Sequence, residues 1–228
     1  MKTYIIRLEE NEHSCKMAKD CYDQAIKFNL QPEFFKAING LDAEKHYVST
    51  RIKRARKFKK NRPGVLGCFF SHYYLWSRCI KINEPIIILE HDGYFIRELP
   101  DNINDMFEDV LKLDRLDPYS KNYNNLLKQE ESLPVDTKKY FNTSAKKTSS
   151  KKYAGSGNYF KGAYSYIIKP LAAKKLIDHI TEFGHLPADQ QIGDNIVNTM
   201  TTIPSLVRLH PFYAIGNNIN TTSLTRNL

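Results

Sequence analysis

The densest apolar run in the chain is Pro85-Ile86-Ile87-Ile88-Leu89, five uncharged residues that include three consecutive isoleucines. That is the pattern of a strand buried on both faces. It runs directly into Glu90-His91-Asp92-Gly93. In an open α/β sheet the ligand crevice lies beyond the carboxyl ends of the strands, so acids emerging there face a ligand. Upstream, Lys2 to Leu8 predicts a first strand, with Ile5, Ile6 and Leu8 apolar. Met17, Cys21, Ala25 and Phe28 recur at helical spacing and predict a helix over residues 15 to 28, with Ser14 as its N-cap. Leu30-Gln31-Pro32 breaks that helix, and Phe34 to Ile38 reads as a second strand closed by Asn39-Gly40. A β-α-β opening of this kind predicts one edge of a doubly wound parallel sheet.

Residues 41 to 62 are polar and basic, a surface helix or loop, and Pro63-Gly64 stops that segment. Leu66, Phe69, Phe70, Tyr73, Trp76 and Ile80 then form an apolar stripe at helical intervals. Ile103, Phe107, Val110, Leu111 and Leu113-Asp114 suggest a further helix. Residues from about 117 to 157 are polar, rich in Asn, Lys and Ser, and poor in periodicity. That is too long for an ordinary connection, so an active-site lid or an accessory insertion is expected there. Gly162 to Ile168 reads as a strand that begins with small residues, and Pro170 opens a helix ended by Gly184-His185-Leu186-Pro187. Another helix starts at Ala188, and Ser205 to Leu209 is a short strand. The expectation is one α/β domain over residues 1–228, without internal repeats.

Composition narrows the class. The 228 residues are 41% hydrophobic and 12% aromatic, globular values that argue against global disorder. No apolar run approaches the roughly 20 residues needed to span a bilayer, and charge follows too soon after Met1 for a signal-peptide core. Cys15, Cys21, Cys68 and Cys79 show no Cys-x-x-Cys spacing and read as reduced thiols of a cytoplasmic protein. The net charge of +9 favours an anionic partner. Eight basic residues fall in the twelve from Arg51 to Arg62, and Lys138, Lys139, Lys146, Lys147, Lys151 and Lys152 form a second cluster. Such runs are solvated faces, a clamp for a nucleotide diphosphate, a peripheral contact at an anionic inner membrane face, or a nucleic-acid surface. Tyr47 and Phe58 accompany the first run, but no recognised nucleic-acid motif does.

Candidate chemistry gathers at the end of the isoleucine strand. Glu90 and Asp92 are two apart, so in an extended chain both carboxylates point to one side. Two hard oxygen ligands suit Mg²⁺ or Mn²⁺, especially where a diphosphate adds oxygens. A polar turn with a permissive Gly93 is the plain alternative. Ser71 and His72 are adjacent on a helix and point roughly 100° apart, which argues against a nucleophilic dyad.

Four blocks, in order, resemble glycosyltransferase family 25, the lipooligosaccharide-type galactosyl- and glucosyltransferases related to collagen galactosyltransferases. Tyr4 to Leu8 with Phe34 to Gly40 looks like that family's first β-α-β, and Gly64 to Trp76 is similar to its G-x-[IL]-G-C-x-x-S-H helix. Ile88-Leu89-Glu90-His91-Asp92 resembles its I-L-E-D-D strand end, and Gly162 to Ile168 with Leu186 to Asp189 resembles its later blocks. The chain departs from the family where His91 replaces the middle acid and Arg7 replaces a first-strand asparagine.

The resemblance implies a GT-A-like, Rossmann-type, mixed but mostly parallel sheet flanked by helices. It implies metal-dependent, inverting transfer of galactose or glucose from a UDP-sugar to a glycan or lipid-linked hydroxyl, as in lipopolysaccharide biosynthesis. Metal contacts fall to Glu90, Asp92 and His91, with Mn²⁺ or Mg²⁺ as the ion. Donor contacts fall to Arg7, Ser71, His72, Glu90, Gly162 and Ala163. Asp189 is the expected general base beside Asp92, with Asp194 behind it and His210 as a late metal contact. A non-catalytic sugar-nucleotide-binding relative and a basic nucleic-acid-binding module are the alternatives.

Overall fold

A computed structural model describes residues 1–53, 62–116, 122–141 and 158–210. The isoleucine run forms β3 (Ile86–Glu90), which pairs in parallel with β1 (Lys2–Arg7); β1 in turn pairs in parallel with β2 (Gln31–Lys36). On its other side β3 meets β7 (Ser165–Ile168), antiparallel, and β7 meets β5 (Val110–Lys112), also antiparallel. The sheet continues through β8 (Thr199–Ile203), parallel to β5, to β6 (Asp136–Lys139), antiparallel to β8. Its order is β2-β1-β3-β7-β5-β8-β6. Five of these seven strands point one way, so their carboxyl ends share an edge. A two-stranded ribbon of β4 (Gly93–Phe95) and β9 (Val207–Leu209) lies beyond it. The expected mixed α/β sheet flanked by helices is what the structure has.

Strand alternation sorts the core into two layers. Tyr4, Ile6, Ile86 and Ile88 pack on one face with Phe69, Phe70 and Trp76 of α3 (Pro63–Ile82) and Leu176 and Ile180 of α5 (Pro170–Phe183). Ile5, Ile87 and Leu89 pack on the other with Met17, Ala18 and Cys21 of α1 (Glu12–Lys27). All three consecutive isoleucines are fully buried, as a strand covered on both faces requires. The helix after β1 and the helix before β3 therefore lie on opposite faces, which opens a crevice at the carboxyl ends of these two neighbours.

Several local expectations are corrected. The N-cap of α1 is Asn11, whose side chain accepts from the Ser14 backbone N–H at 2.8 Å; Ser14 instead accepts from Leu8 N–H at 3.0 Å, tying the helix to the end of β1. Pro32 lies inside β2 because β2 is an edge strand, where a missing N–H is tolerated. Residues 43–50 form α2 (Ala43–Thr50), and Pro63 opens α3 at its first turn rather than only ending the preceding segment. The helix expected around residues 103–114 is a single 3₁₀ turn followed by β5. Val110 packs into the α3 layer while Leu111 and Leu113 pack into the α1 layer, a period of two.

The polar stretch supplies α4 (Tyr123–Glu130) and the edge strand β6; the remainder of that insertion, 117–121 and 142–157, lies outside the described residues. So do residues 54–61 of the first basic run and Lys146, Lys147, Lys151 and Lys152 of the second. The helix expected after Pro187 is one turn, α6 (Ala188–Gln191). Among the described residues, no helix is long and apolar enough to cross a membrane.

Candidate active site

The crevice is a cleft open to solvent on one side. Ile6 and Leu8 line it from the end of β1, residues 37–40 from the segment after β2, Gly64, Gly67, Cys68, Ser71 and His72 from α3, and Glu90 and His91 from the end of β3. Two glycines set its wall. A Cβ on Gly67 would stand 2.4 Å from the Ile38 carbonyl oxygen, and one on Gly40 would stand 1.6 Å from that of Pro63. Only glycine lets α3 lie against residues 38–40 this closely. Ser71 fastens the same contact, accepting from Ile38 N–H at 2.9 Å and donating to the Gly67 carbonyl at 2.7 Å.

His72, fully buried, continues the wall inward. Trp76 Nε1–H donates to the Tyr166 hydroxyl oxygen at 2.9 Å, and that hydroxyl lies 2.7 Å from His72 Nδ1. His72 Nε2 is 3.2 Å from Glu90 Oε1. A neutral His72 carrying its proton on Nε2 satisfies every link: Trp76 donates to Tyr166, Tyr166 to His72, and His72 to Glu90. Cys68, one helical turn before His72, places Sγ 3.6 Å from the same carboxylate oxygen. Ser71 and His72 do not bond each other and form no dyad.

The chain turns immediately after Glu90. Residues 91 and 92 are a turn before β4, so the extended geometry that would set the two carboxylates side by side ends at Glu90. Gly93 is required there because a Cβ would stand 2.7 Å from the Tyr164 carbonyl oxygen. Glu90 remains 24% exposed toward the cleft. Burial acts to raise its pKa, but the opposing causes, led by the hydrogen bond from His72, outweigh that and hold it below the ordinary carboxylate value.

Asp92 goes the other way, pushed up to about 8 by burial and then by the Glu90 charge, and its Oδ1 is buried without a hydrogen-bond partner. Burial lowers His91 to about 4, so its imidazole is neutral at neutral pH. Glu90 and Asp92 repel each other, and of the two only Glu90 lines the cleft, while Asp92 keeps its orphan oxygen buried.

Asp189, at the start of α6, belongs to the same electrostatic neighbourhood. Burial raises it to about 6 against the backbone N–H groups of Gln190 and Gly162, with Glu90 raising it further and His72 lowering it. Gly162 adopts φ +79°, and Ala163 beside it is buried.

Arg7 lies outside the cleft lining, its guanidinium 4.0 Å above the Phe34 ring and 3.5 Å from Glu9, with Nε buried and unpartnered. Asp194 is exposed and accepts from Asn158 N–H at 2.9 Å. His210 reaches the site through its backbone N–H, which donates to the Asp92 carbonyl at 2.7 Å, while its ring lies 3.2 Å from Asp20.

Four groups at this edge were not singled out from the sequence: Cys68, Tyr166, and the buried pair Lys112 and Asp114, whose Nζ and Oδ1 are 2.5 Å apart. The i, i+4 spacing of Cys68 and His72 was a readable signal that both share a helix face. The other meetings arise only when β5 and β7 are placed beside β3.

This architecture is a mixed α/β sheet with a cleft beyond the carboxyl ends of its parallel strands, the place where open α/β sheets take their ligands. The model of glycosyltransferase family 25 (LPS biosynthesis protein) matches residues 1–192, and the chain belongs to that family. A glycosyltransferase 25 family member of Aedes aegypti is 30% identical over 115 residues, 45% of this chain and 18% of the relative, so the chain spans under a fifth of that protein's length. Among solved structures, galactosyltransferase LgtC with donor and acceptor sugar analogues has a TM-score of 0.40 at 8% identity, covering 88% of this chain and 73% of that one. Mouse xyloside xylosyltransferase 1 in its apo form has 0.36 at 9%, covering 84% and 79%.

Proposed function

We propose that the chain is a glycosyltransferase that moves a hexose, galactose or glucose, from a UDP-sugar to a glycan or lipid-linked hydroxyl with inversion and with a divalent cation. The observation that carries this reading is the set of acids around Glu90: Glu90 charged and lining the cleft, with Asp92, buried with an orphan oxygen, and Asp189, its pKa near 6, both within reach of the Glu90 charge. Glu90 and Asp92 would hold Mn²⁺ or Mg²⁺, and neutral His91 offers a further lone pair; the ion, when bound, neutralises charge that develops on the diphosphate.

The remaining chemistry falls to the chain. The apolar wall of Ile6, Leu8 and Ile38 suits a flat base, and Asn39 offers a polar side chain beside it. Ser71 and Gly67 fix that wall, and His72 orients Glu90. Arg7, outside the cleft lining but with a buried unpartnered Nε, would need to swing from the Phe34 ring to meet phosphate oxygens. Asp189 is ionised above its pKa of about 6 yet more basic than an ordinary aspartate, which suits a general base. As the acceptor oxygen attacks the anomeric carbon, its proton passes to Asp189, and the sugar–phosphate C–O bond breaks with its electron pair leaving on the diphosphate. Gly162 N–H helps hold Asp189 for that step.

The test is release of UDP from a panel of UDP-sugars, with and without Mn²⁺, for the wild-type chain and Asp92→Ala. Metal-dependent release from one donor is expected, falling roughly 10²–10³-fold in the variant, the scale of losing one transition-state charge contact. UDP binding by calorimetry without release or transfer would favour the non-catalytic relative, in which His91 replaces an acid. Neither binding nor release would overturn the reading.

A further inference from the structure

We propose that Cys68, His72 and Glu90 form a binding site for a thiophilic divalent cation of the Zn²⁺ class, which shares Glu90 with the proposed hard-cation pairing but not Asp92. Among the described residues these are the three side chains whose ligand-type atoms converge, all within 4.8 Å of one another. His72 Nε2 and Cys68 Sγ lie 3.2 and 3.6 Å from Glu90 Oε1. Ligand atoms around a tetrahedral zinc stand about 3.3–3.7 Å apart, given metal bonds of roughly 2.0–2.3 Å, so small rotamer adjustments suffice. The donor set of one thiolate, one imidazole and one carboxylate is a zinc set; Mg²⁺ and Mn²⁺ prefer oxygen alone.

Three features make this a built site rather than a coincidence of side chains. Cys68 and His72 lie one turn apart on α3, a rigid element pinned by Ser71. His72 Nδ1 already faces the Tyr166 hydroxyl, itself fixed by Trp76, which is the outer hydrogen bond that orients a metal-binding imidazole. The open side faces the cleft, because Cys68, His72 and Glu90 all line it, leaving a coordination position for water or a ligand. When the ion binds, the His72 proton moves to Nδ1 and is donated to the Tyr166 oxygen, the Tyr166 O–H rotates away from the ring, and the Cys68 thiol releases its proton to solvent. A bound thiophilic ion would take Glu90 away from Asp92, so the two metal uses of Glu90 compete. The binding claim stands whether or not the chain transfers sugar.

Co²⁺ serves as the spectroscopic probe, since a thiolate ligand gives it a near-ultraviolet charge-transfer band. Wild-type protein is expected to develop this band with Co²⁺ and lose it on adding Zn²⁺ but not Mg²⁺. Cys68→Ser should abolish the band and weaken Zn²⁺ binding by at least about 100-fold, the upper end of what loss of even an outer partner costs. Cys15→Ser, at a partly exposed thiol on α1 away from the cluster, should leave both unchanged. Should Cys68→Ser fail to fold, alkylation of the wild-type chain decides: Zn²⁺ is expected to protect Cys68, and Mg²⁺ is not. A folded wild type with no band, a band that survives Cys68→Ser, or Cys68 alkylated equally with and without Zn²⁺ would overturn the proposal.

Discussion

Two strand ends at the same edge of the sheet carry acids in similar positions and treat them in opposite ways. Lys112 closes β5, and Asp114 follows two residues later; Glu90 closes β3, and Asp92 follows two residues later. Both ends flank the entry to β7, where Glu90 N–H donates to the Tyr164 carbonyl and Leu113 N–H donates to the Ser165 carbonyl. Asp114, 2% exposed, accepts from Lys112 Nζ at 2.5 Å and from Ser165 Oγ at 2.8 Å. The Lys112 ammonium also lies over the Tyr164 ring at 4.8 Å. This end is electrically complete. The β3 end has a second carboxylate where β5 has an ammonium, and Asp92 Oδ1 has no partner. A buried charge pair that supplies its own counter-ion is a structural device. On the proposed function, the end that lacks one takes a cation or ligand from outside.

The contrast can be broken most forcefully at β5. Lys112→Met keeps the length of the side chain but leaves Asp114 buried beside a hydroxyl alone. Removing one partner of a buried pair costs about 3–5 kcal/mol, so urea unfolding should show a loss of that size, without metal dependence. Ser165→Ala removes the other donor to Asp114 and should cost about 1.5–3 kcal/mol in the same assay, the range for a hydrogen bond to a charged group.

The effect expected at Asp92 is a dependence on pH, because its buried carboxyl is neutral in the folded chain and Oδ1 has no partner. In the metal-free folded chain Asp92 holds its proton up to about 8, whereas the unfolded group loses it near 3.8. Across that window the folded state binds the extra proton, so stability contributed by neutral Asp92 is present at the acid end and falls as pH rises. Asp92→Asn should flatten the fall in melting temperature across the window and leave only the lesser part due to Asp189, which titrates near 6. A variant as pH-sensitive as the wild type would mean that Asp92 is satisfied by a contact the β5 comparison leaves out.

Much of the β3 end was legible in the sequence, and little of the β5 end was. The run Ile86 to Leu89 and the stripe from Leu66 to Ile80 each repeat one residue class at one period, and a single buried environment explains each. Glu90, Asp92, His72 and Asp189 could be named because their positions follow such elements or match family blocks. Val110 to Asp114 misled because a buried lysine and aspartate interrupt the alternation; they look like polar helix positions until each is seen to neutralise the other. The strand β8 went unnoticed because Thr199, Thr201 and Thr202 read as polar, although their β-branched side chains suit a sheet and Thr201 and Thr202 donate to the Asp114 and Leu113 carbonyls. The meeting of Cys68 with Glu90, separated by 22 positions, depends on α3 packing across β3, which no local pattern encodes.

The central claim is that the β3 end requires a cation from outside while the β5 end does not. It is tested most directly by titrating Mn²⁺ into the wild-type chain and Asp92→Asn by calorimetry in the presence of UDP. The account predicts one Mn²⁺ site in the wild type and loss of that site in Asp92→Asn, with folding retained. Equal Mn²⁺ binding by both chains, or none by a wild type that binds UDP, would contradict it.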